Sequence, residues 1–334
     1  MEARIVGLKG SGASTLMGAL GGGQVDGAVA TVRLGDPRVR RLSDMFHPKK
    51  TTFAEFKVRV ADRPAASGRR GEMERYLIGL VGAQVFLHVV RAFPNPLLPE
   101  EPDPARDLLE LDQEFLMADL IAVERALERA AKAKLSEVGR RSLERAKAAL
   151  DEEQPLRLIP LLPDEYAFLL PYSLLSLVPQ VIVLNTVPGA EPVDLTAEAA
   201  DRTVLGLPLN EAAEVASLSP EEQEEFAREL GLPGLASDLV TRAAFEQMGL
   251  ISFLTVGEDE VRAWPVRRGD TAQKAAGVIH SDIERGFIRA EVVGYETFVS
   301  LGSTKACREA GVLRLEGKEY VVQDGDIVNF RFNV

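Results

Sequence analysis

The chain has 334 residues, 46% of them apolar, and a formal net charge of −12. That length admits two domains or one large domain with an appendage, and the acidic balance argues against a general basic coat for nucleic acid, though not against a local patch. One cysteine, Cys307, excludes an internal disulfide and a cysteine-based zinc cluster, and the three histidines, at 47, 88 and 280, are too scattered to suggest a metal site.

In chain order, ARIVGL reads as a buried strand, glycines follow, and STLMGAL starts a helix. AVATVRL is a second strand. DPRVRRLSDMF is a short amphipathic helix with Asp36 as its cap and Pro37 in the first turn. FAEFKVRVA alternates as a strand, GEMERYLIGLVGA is helical, and QVFLHVVRAF is a buried strand. Strands alternating with helices imply a mostly parallel sheet covered on both faces. From 107 to 153, Leu, Ala, Glu, Arg and Lys recur at helical spacing with Ser136 opening a second helix, which reads as an antiparallel hairpin projecting from the domain with a solvated charged face. PQVIVLNTV and TVLGLPLN are further strands. SPEEQEEFARELGL is a helix capped by Ser219, with Pro220 next and Glu222 three residues on. Past Gly249, ISFLTV, VRAWPV, FIRAEVVGY and VNFRFNV are strands around the helical stretches DTAQKAAGVIHSDIERG and GSTKACREAG, an α+β unit. The start of the sequence lacks the pattern of a signal peptide, and no window is long and apolar enough to span a membrane, so a cytoplasmic protein is expected.

The C-terminal run VRAWPVRRGDTAQKAAGVIHSDIERGFIRAEVVGYETF, with EAGVLRLEGKEYVVQDGDIVNFRFNV, closely resembles the end of the YchF proteins, an Obg-related branch of the P-loop NTPases. HVVRAF, ADLIAVERALERA, SPEEQEEFARELGL and GDPRVRRLSDMFHPKK are similar to YchF phrases too. The resemblance implies an α/β fold: a P-loop NTPase-like sheet over 1–104 and 154–249, an inserted helical hairpin over 105–153, and a β-grasp TGS domain over 250–334.

The resemblance is weakest where the chemistry is. In GLKGSGAST, Gly7 and Gly12 hold the glycine positions of GxxxxGK[ST] and Ser14 the hydroxyl position, while Ala13 replaces the lysine. Losing a charge that faces several phosphates should cost several kcal/mol, on the order of charge-assisted bonding in a partly desolvated site. Backbone N–H groups of Gly10, Ser11 and Gly12, with Thr15 in the first helical turn, would still attract an anion. Lys9 either folds back over the phosphates or is a solvent-facing lysine. The segment carrying the family's first switch is reduced to GGGQVDG. Val58, Arg59, Val60 and Ala61 stand where the family has DxxG, with Asp62 one residue beyond, and its glycine-rich switch becomes PAASGRRGEMER. NTVP at 185–188 keeps only Asn185 of the base-reading motif. These losses imply a degenerate nucleotide centre, with ATP or GTP and Mg2+ bound at low affinity if at all.

Three functions follow: a non-hydrolysing adaptor associated with ribosome or RNA, an atypical ATP- or GTP-binding hydrolase using Lys9 and Ser14, or a protein-interaction module acting through the hairpin. For RNA, residues 33–75 carry 12 Lys/Arg against 6 Asp/Glu, and Arg262, Arg267, Arg268, Lys274, Arg285 and Arg289 form a second basic group. His88 reads as a core residue, His280 as complementing a helix C-terminus, Cys307 as a buried structural thiol, and Trp264 as core packing.

Overall fold

The structure, a computed structural model, describes residues 1–21, 25–26, 29–61, 71–96, 98, 100–130 and 135–333. In chain order the strands are β1 Glu2–Gly7, β2 Val25–Asp26, β3 Val29–Arg33, β4 Lys50–Thr52, β5 Glu55–Val60, β6 Val85–Arg91, β7 Gln180–Asn185, β8 Thr203–Leu207, β9 Leu250–Val256, β10 Glu260–Arg267, β11 Phe287–Gly294, β12 Arg314–Glu316 and β13 Asp326–Phe332. The helices are α1 Ala13–Gly21, α2 Pro37–Phe46, α3 Glu72–Gly79, α4 Pro104–Ala130, α5 Glu137–Asp151, α6 Pro163–Leu169, α7 Thr196–Ala199, α8 Leu209–Ala216, α9 Pro220–Glu229, α10 Ala236–Gln247, α11 Ala272–Ile279, α12 Ser281–Arg285, α13 Tyr295–Leu301 and α14 Thr304–Glu309. By their contacts they form two compact units, Met1–Val32 with Phe56–Gln247, and Arg33–Glu55 with Met248–Val334.

The first unit is built on a seven-stranded sheet of order β2-β3-β5-β1-β6-β7-β8. β1 pairs in parallel with β5 and β6, β6 with β7, and β7 with β8, as the alternation of strands and helices implies. β6 and β7 are buried at every residue, the signature of central strands covered on both faces. One face packs on α1 and α10; the other carries Val6, Phe86, Leu111, Phe115, Tyr76 and Leu80 in one apolar cluster with α3 and α4. Thus the first half of α4 is a sheet-covering helix, burying Leu108, Leu111 and Phe115. Its second half joins α5 and α6 in a separate core around Val123, Leu143, Ala146 and Leu169. Glu165 ties this part together: its carboxylate, fully buried, accepts from Leu162 N, Arg141 Nε and Arg145 Nη1. The stretch TVLGLPLN is not all strand; β8 stops at Leu207, Pro208 turns the chain, and Leu209 opens α8.

The second unit is a six-stranded sheet of order β12-β11-β13-β9-β10-β4. β9 and β10 form an antiparallel pair, β13 lies parallel to β9, and β11 runs antiparallel to β13, an arrangement compatible with a TGS-like domain. Residues 33–55 pack here rather than with the nucleotide-domain half to which the sequence reading assigned them. β4 extends the sheet in parallel with β10, and Arg38 bridges Asp36 and Asp324. Asp36 caps α2 by accepting from Arg38 N, with Pro37 next, as expected. The core gathers Phe253, Val266, Ala276, Val292 and Phe330, with Trp264 packed on it, stacked on Phe253 and donating Nε1–H to Thr255 Oγ1 at 2.9 Å. His280 separates α11 from α12: its backbone N–H closes the end of α11 on Ala276 O, and its Nδ1 accepts from Asp282 N at 3.1 Å to cap α12. Cys307 is fully buried, and that burial pushes its thiol above the ordinary range. Among the described residues, no helix is long and apolar enough to cross a membrane.

Candidate nucleotide site

Strand β1 ends at Gly7 and α1 begins at Ala13, so the glycine loop is the turn between a central parallel strand and a helix N-terminus. Each loop glycine has its own reason. A Cβ on Gly7 would lie 2.5 Å from Val89 O, in the neighbouring strand. Gly10 and Gly12 adopt φ of +81° and +102°, where L side chains are strained. Ser11 N–H turns back to Leu8 O at 3.1 Å, and Leu16 N–H to Gly12 O at 2.9 Å. These constraints explain why glycine stands at 7, 10 and 12.

The side chains tell a different story. Lys9 is exposed and makes no ion pair among the described residues. Ser14 is exposed in the first turn of α1, Thr15 is half-buried, and Ala13 offers no charge. Ser11 is buried, and among the described residues its Oγ has no hydrogen-bond partner. The loop's outer side is covered: a Cβ on Gly10 would meet Leu98 Cδ1 at 2.8 Å and Asn95 Nδ2 at 3.2 Å. Asn185, at the end of β7, does more than finish its strand. Its Nδ2 donates to Ser11 O at 2.9 Å and its Oδ1 accepts from Leu209 N at 3.4 Å, stapling the loop to the start of α8. The amide is committed to backbone on both atoms.

Among the described residues no group of three or more His, Cys, Asp or Glu could hold a metal ion. Val58 is buried inside β5, Arg59 pairs with Glu2, Val60 ends the strand, and Ala61 N–H bonds Ile5 O. Asp62 and 63–70 of the second switch, with 22–24 and 27–28 of the first, lie outside the described residues. A loop of this kind fits a single anion on backbone N–H groups; the charge set for a magnesium triphosphate is incomplete in what is described. His88 is fully buried in β6, at the register of Val6 and Ile182, which agrees with a core role.

Three of the basic residues singled out in the C-terminal unit are engaged by neighbours on their own unit. Arg262 lies 3.8 Å above the Trp264 ring, Lys274 pairs with Asp270 at 3.6 Å, and Arg285 pairs with Asp282. Arg267 is exposed at the end of β10 and Arg268 in the turn after it. Arg289 stands on the outer sheet face directly opposite Arg331, and Arg331 and Arg308 both reach Glu291, at 3.0 and 3.4 Å. Arg308 and Arg331 escaped sequence reading because they sit on different elements; strand alternation at 289/291 and 329/331 is the signal that could have found Arg331. Of the basic run at 33–75, Arg38, Lys49, Lys50 and Arg59 are already paired with acids.

The comparisons with known proteins agree with this architecture. The family YchF-GTPase_C, described as a protein of unknown function, matches residues 250–333. The "Ribosome-binding ATPase YchF" of Bacillus subtilis is 34% identical over 364 aligned positions, covering 100% of both chains. Its counterpart in Haemophilus ducreyi is 35% identical, covering 99% of this chain and 98% of its own. The structure of the Schizosaccharomyces pombe YchF GTPase superposes with a TM-score of 0.86 at 25% identity, over 99% of this chain and 97% of that one. The alignment to the Bacillus protein is longer than the 334 residues present here, so that relative carries segments this chain lacks. On full-length identity and fold alike, this chain belongs to the YchF family.

Proposed function

We propose that this YchF-family protein is a cytoplasmic, ribosome-associated adaptor whose nucleotide centre binds ATP or GTP weakly and does not hydrolyse it. The observation that carries the reading is Ala13. It sits at the start of α1 in a loop whose glycine geometry is intact, with no other cation held over that loop among the described residues. The backbone has kept its anion-binding form while the point charge that stabilises the β- and γ-phosphates is gone. The naming of relatives as ribosome-binding ATPases supports a ribosome as the partner. The face bearing Arg289, Arg308 and Arg331, with Glu291 as the acid among them, supports contact with phosphate backbone.

Titration calorimetry with Mg-ATP, Mg-GTP and Mg-ADP tests the nucleotide half. The expected result is binding no tighter than the millimolar range, no turnover, and at least tenfold tighter binding by Ala13→Lys. Micromolar binding or steady hydrolysis by the wild type sinks the reading; loss of that activity in Lys9→Ala would establish Lys9 as the substitute cation. For the ribosome half, co-sedimentation should weaken with salt and fall further in Arg289→Glu/Arg331→Glu. Sedimentation insensitive to both changes rules out this face.

A further inference from the structure

At the opposite edge of the first unit's sheet, where β7 and β8 begin, lies a cavity of about 270 Å³ lined by Leu156, Arg157, Ile159, Leu161, Tyr166 and Leu177, with Pro179, Asp201 and Gln247 at its wall. Its walls are mostly apolar, yet a guanidinium is set into them. The Arg157 side chain is 5% exposed. Such a cation is costly to bury unless it is paired. Arg157 is underpaired. Its Nε donates to Asp201 Oδ1 at 3.3 Å, and the acid across from Nη2, Asp112, is 3.9 Å away. Both oxygens of Asp112 are taken by Arg202 Nη1, at 2.9 and 2.7 Å. Burial, and then the charge of Arg202, pull Arg157 below the usual guanidinium range. Among the described residues its Nη atoms, which carry four of the five donors of an arginine, make no hydrogen bond.

We propose that this cavity binds a small monocarboxylate, its carboxylate paired with the Nη atoms of Arg157 and its compact apolar body against Leu156, Ile159, Leu161 and Leu177. A planar fork of donors matches a carboxylate in bidentate fashion. The volume lies just under the roughly 300–1,000 Å³ of ordinary ligand pockets, which selects a small molecule over a polymer. Asp201, on the same wall, opposes a second negative charge, so a monoanion is preferred to a phosphate dianion. The site is independent of the nucleotide reading. The cavity abuts the start of β7, and Asn185, which holds the glycine loop, ends it.

The probe is isovalerate, followed by 1H–15N amide shifts on the full chain, with neutral isovaleramide and inorganic phosphate alongside. Isovalerate is expected to give saturating shifts at residues 156–161 and 201–202 with a Kd below about 10 mM, the range open to a ligand of so few atoms. Isovaleramide should bind at least tenfold more weakly, and phosphate should not displace isovalerate. Arg157→Gln should abolish the shifts in a folded protein, because Asp112 keeps Arg202. Leu161→Glu keeps Arg157 and should abolish them as well, by supplying an internal carboxylate. Absence of isovalerate binding, equal binding of the amide, displacement by phosphate, or wild-type binding in folded Arg157→Gln would each overturn the proposal.

Discussion

The two ends of β7 are held by different forces. At its C-terminal end Asn185 ties the glycine loop to the start of α8 with two neutral hydrogen bonds, and the buried Ser11 hydroxyl has no partner among the described residues. At its N-terminal end charges do the work: Arg202 on Asp112 and Gln180, Arg157 on Asp201, and Asp119 receiving the Leu175 and Ser176 N–H groups at 2.7 Å. The loop end is shaped by what glycine leaves out. The other end is shaped by buried ions, of which Arg202 and Asp112 are matched while Arg157 is only partly so.

The comparison breaks most visibly at Arg202, whose side chain is 1% exposed. Arg202→Leu strands the Asp112 carboxylate and should cost about 3–5 kcal/mol in chemical unfolding, the range for breaking one side of a buried pair. Asp112→Leu/Arg202→Leu should recover much of that. If the double change costs as much as the single one, shape rather than charge holds this end together.

Asp119 comes next. Asp119→Ala leaves two backbone N–H groups buried without acceptors and should cost about 2–4 kcal/mol. Burial raises the Asp119 carboxyl to about 6, against the lowering pull of hydrogen bonds from Ser176, by side chain and backbone, and from Leu175 N. The native state thus takes up the proton before the unfolded chain does, at about 3.9. This group makes stability fall as pH rises from about 4 to about 6, then stay level. Unfolding measured across that window should show the slope in the wild type and lose this part of it in Asp119→Ala.

Much of this was legible in the sequence, for physical reasons. The central strands announced themselves as unbroken apolar runs, and the caps at Asp36 and Ser219 by residue type and spacing; Ser219 and Glu222 form the expected capping box. The loop glycines were legible as well, because strand, turn and helix must follow in that order. Invisible were features that join distant parts of the chain. β4 is three polar residues, KTT, and its strand character comes from pairing with β10. α8 hid behind Pro208 because Leu209 continues the apolar run of β8. Arg157 sits in a helical turn, LRL, with no periodicity to mark it, and its partners come from α4 and the turn before β8.

At the loop end the effects shrink. A Cβ on Gly12 would fall 2.2 Å from Asn185 Nδ2 at a φ of +102°. Gly12→Ala should therefore cost about 2–3 kcal/mol, combining left-handed strain with loss of the Asn185 staple. Because the displaced bond is the one to Ser11 O, Asn185→Ala should be less than additive with it. Full additivity in that double-mutant cycle would show that Asn185 does not stand in the way.

The smallest effect is expected at Ser11, and it discriminates best. Its Oγ is buried with no protein partner among the described residues, 2.6 Å from where a Cβ on Gly7 would lie. A buried hydroxyl without a partner is a desolvation cost with no return, so Ser11→Ala should be neutral or stabilising by up to about 1 kcal/mol. The same substitution at the charged end, removing a carboxylate or a guanidinium, is never silent. A loss of more than about 1 kcal/mol in phosphate-free buffer would mean that the hydroxyl bonds an ordered water. A loss seen only when phosphate is added would mean that the loop still holds an anion through this side chain, and that more of the ancestral site survives than Ala13 suggests.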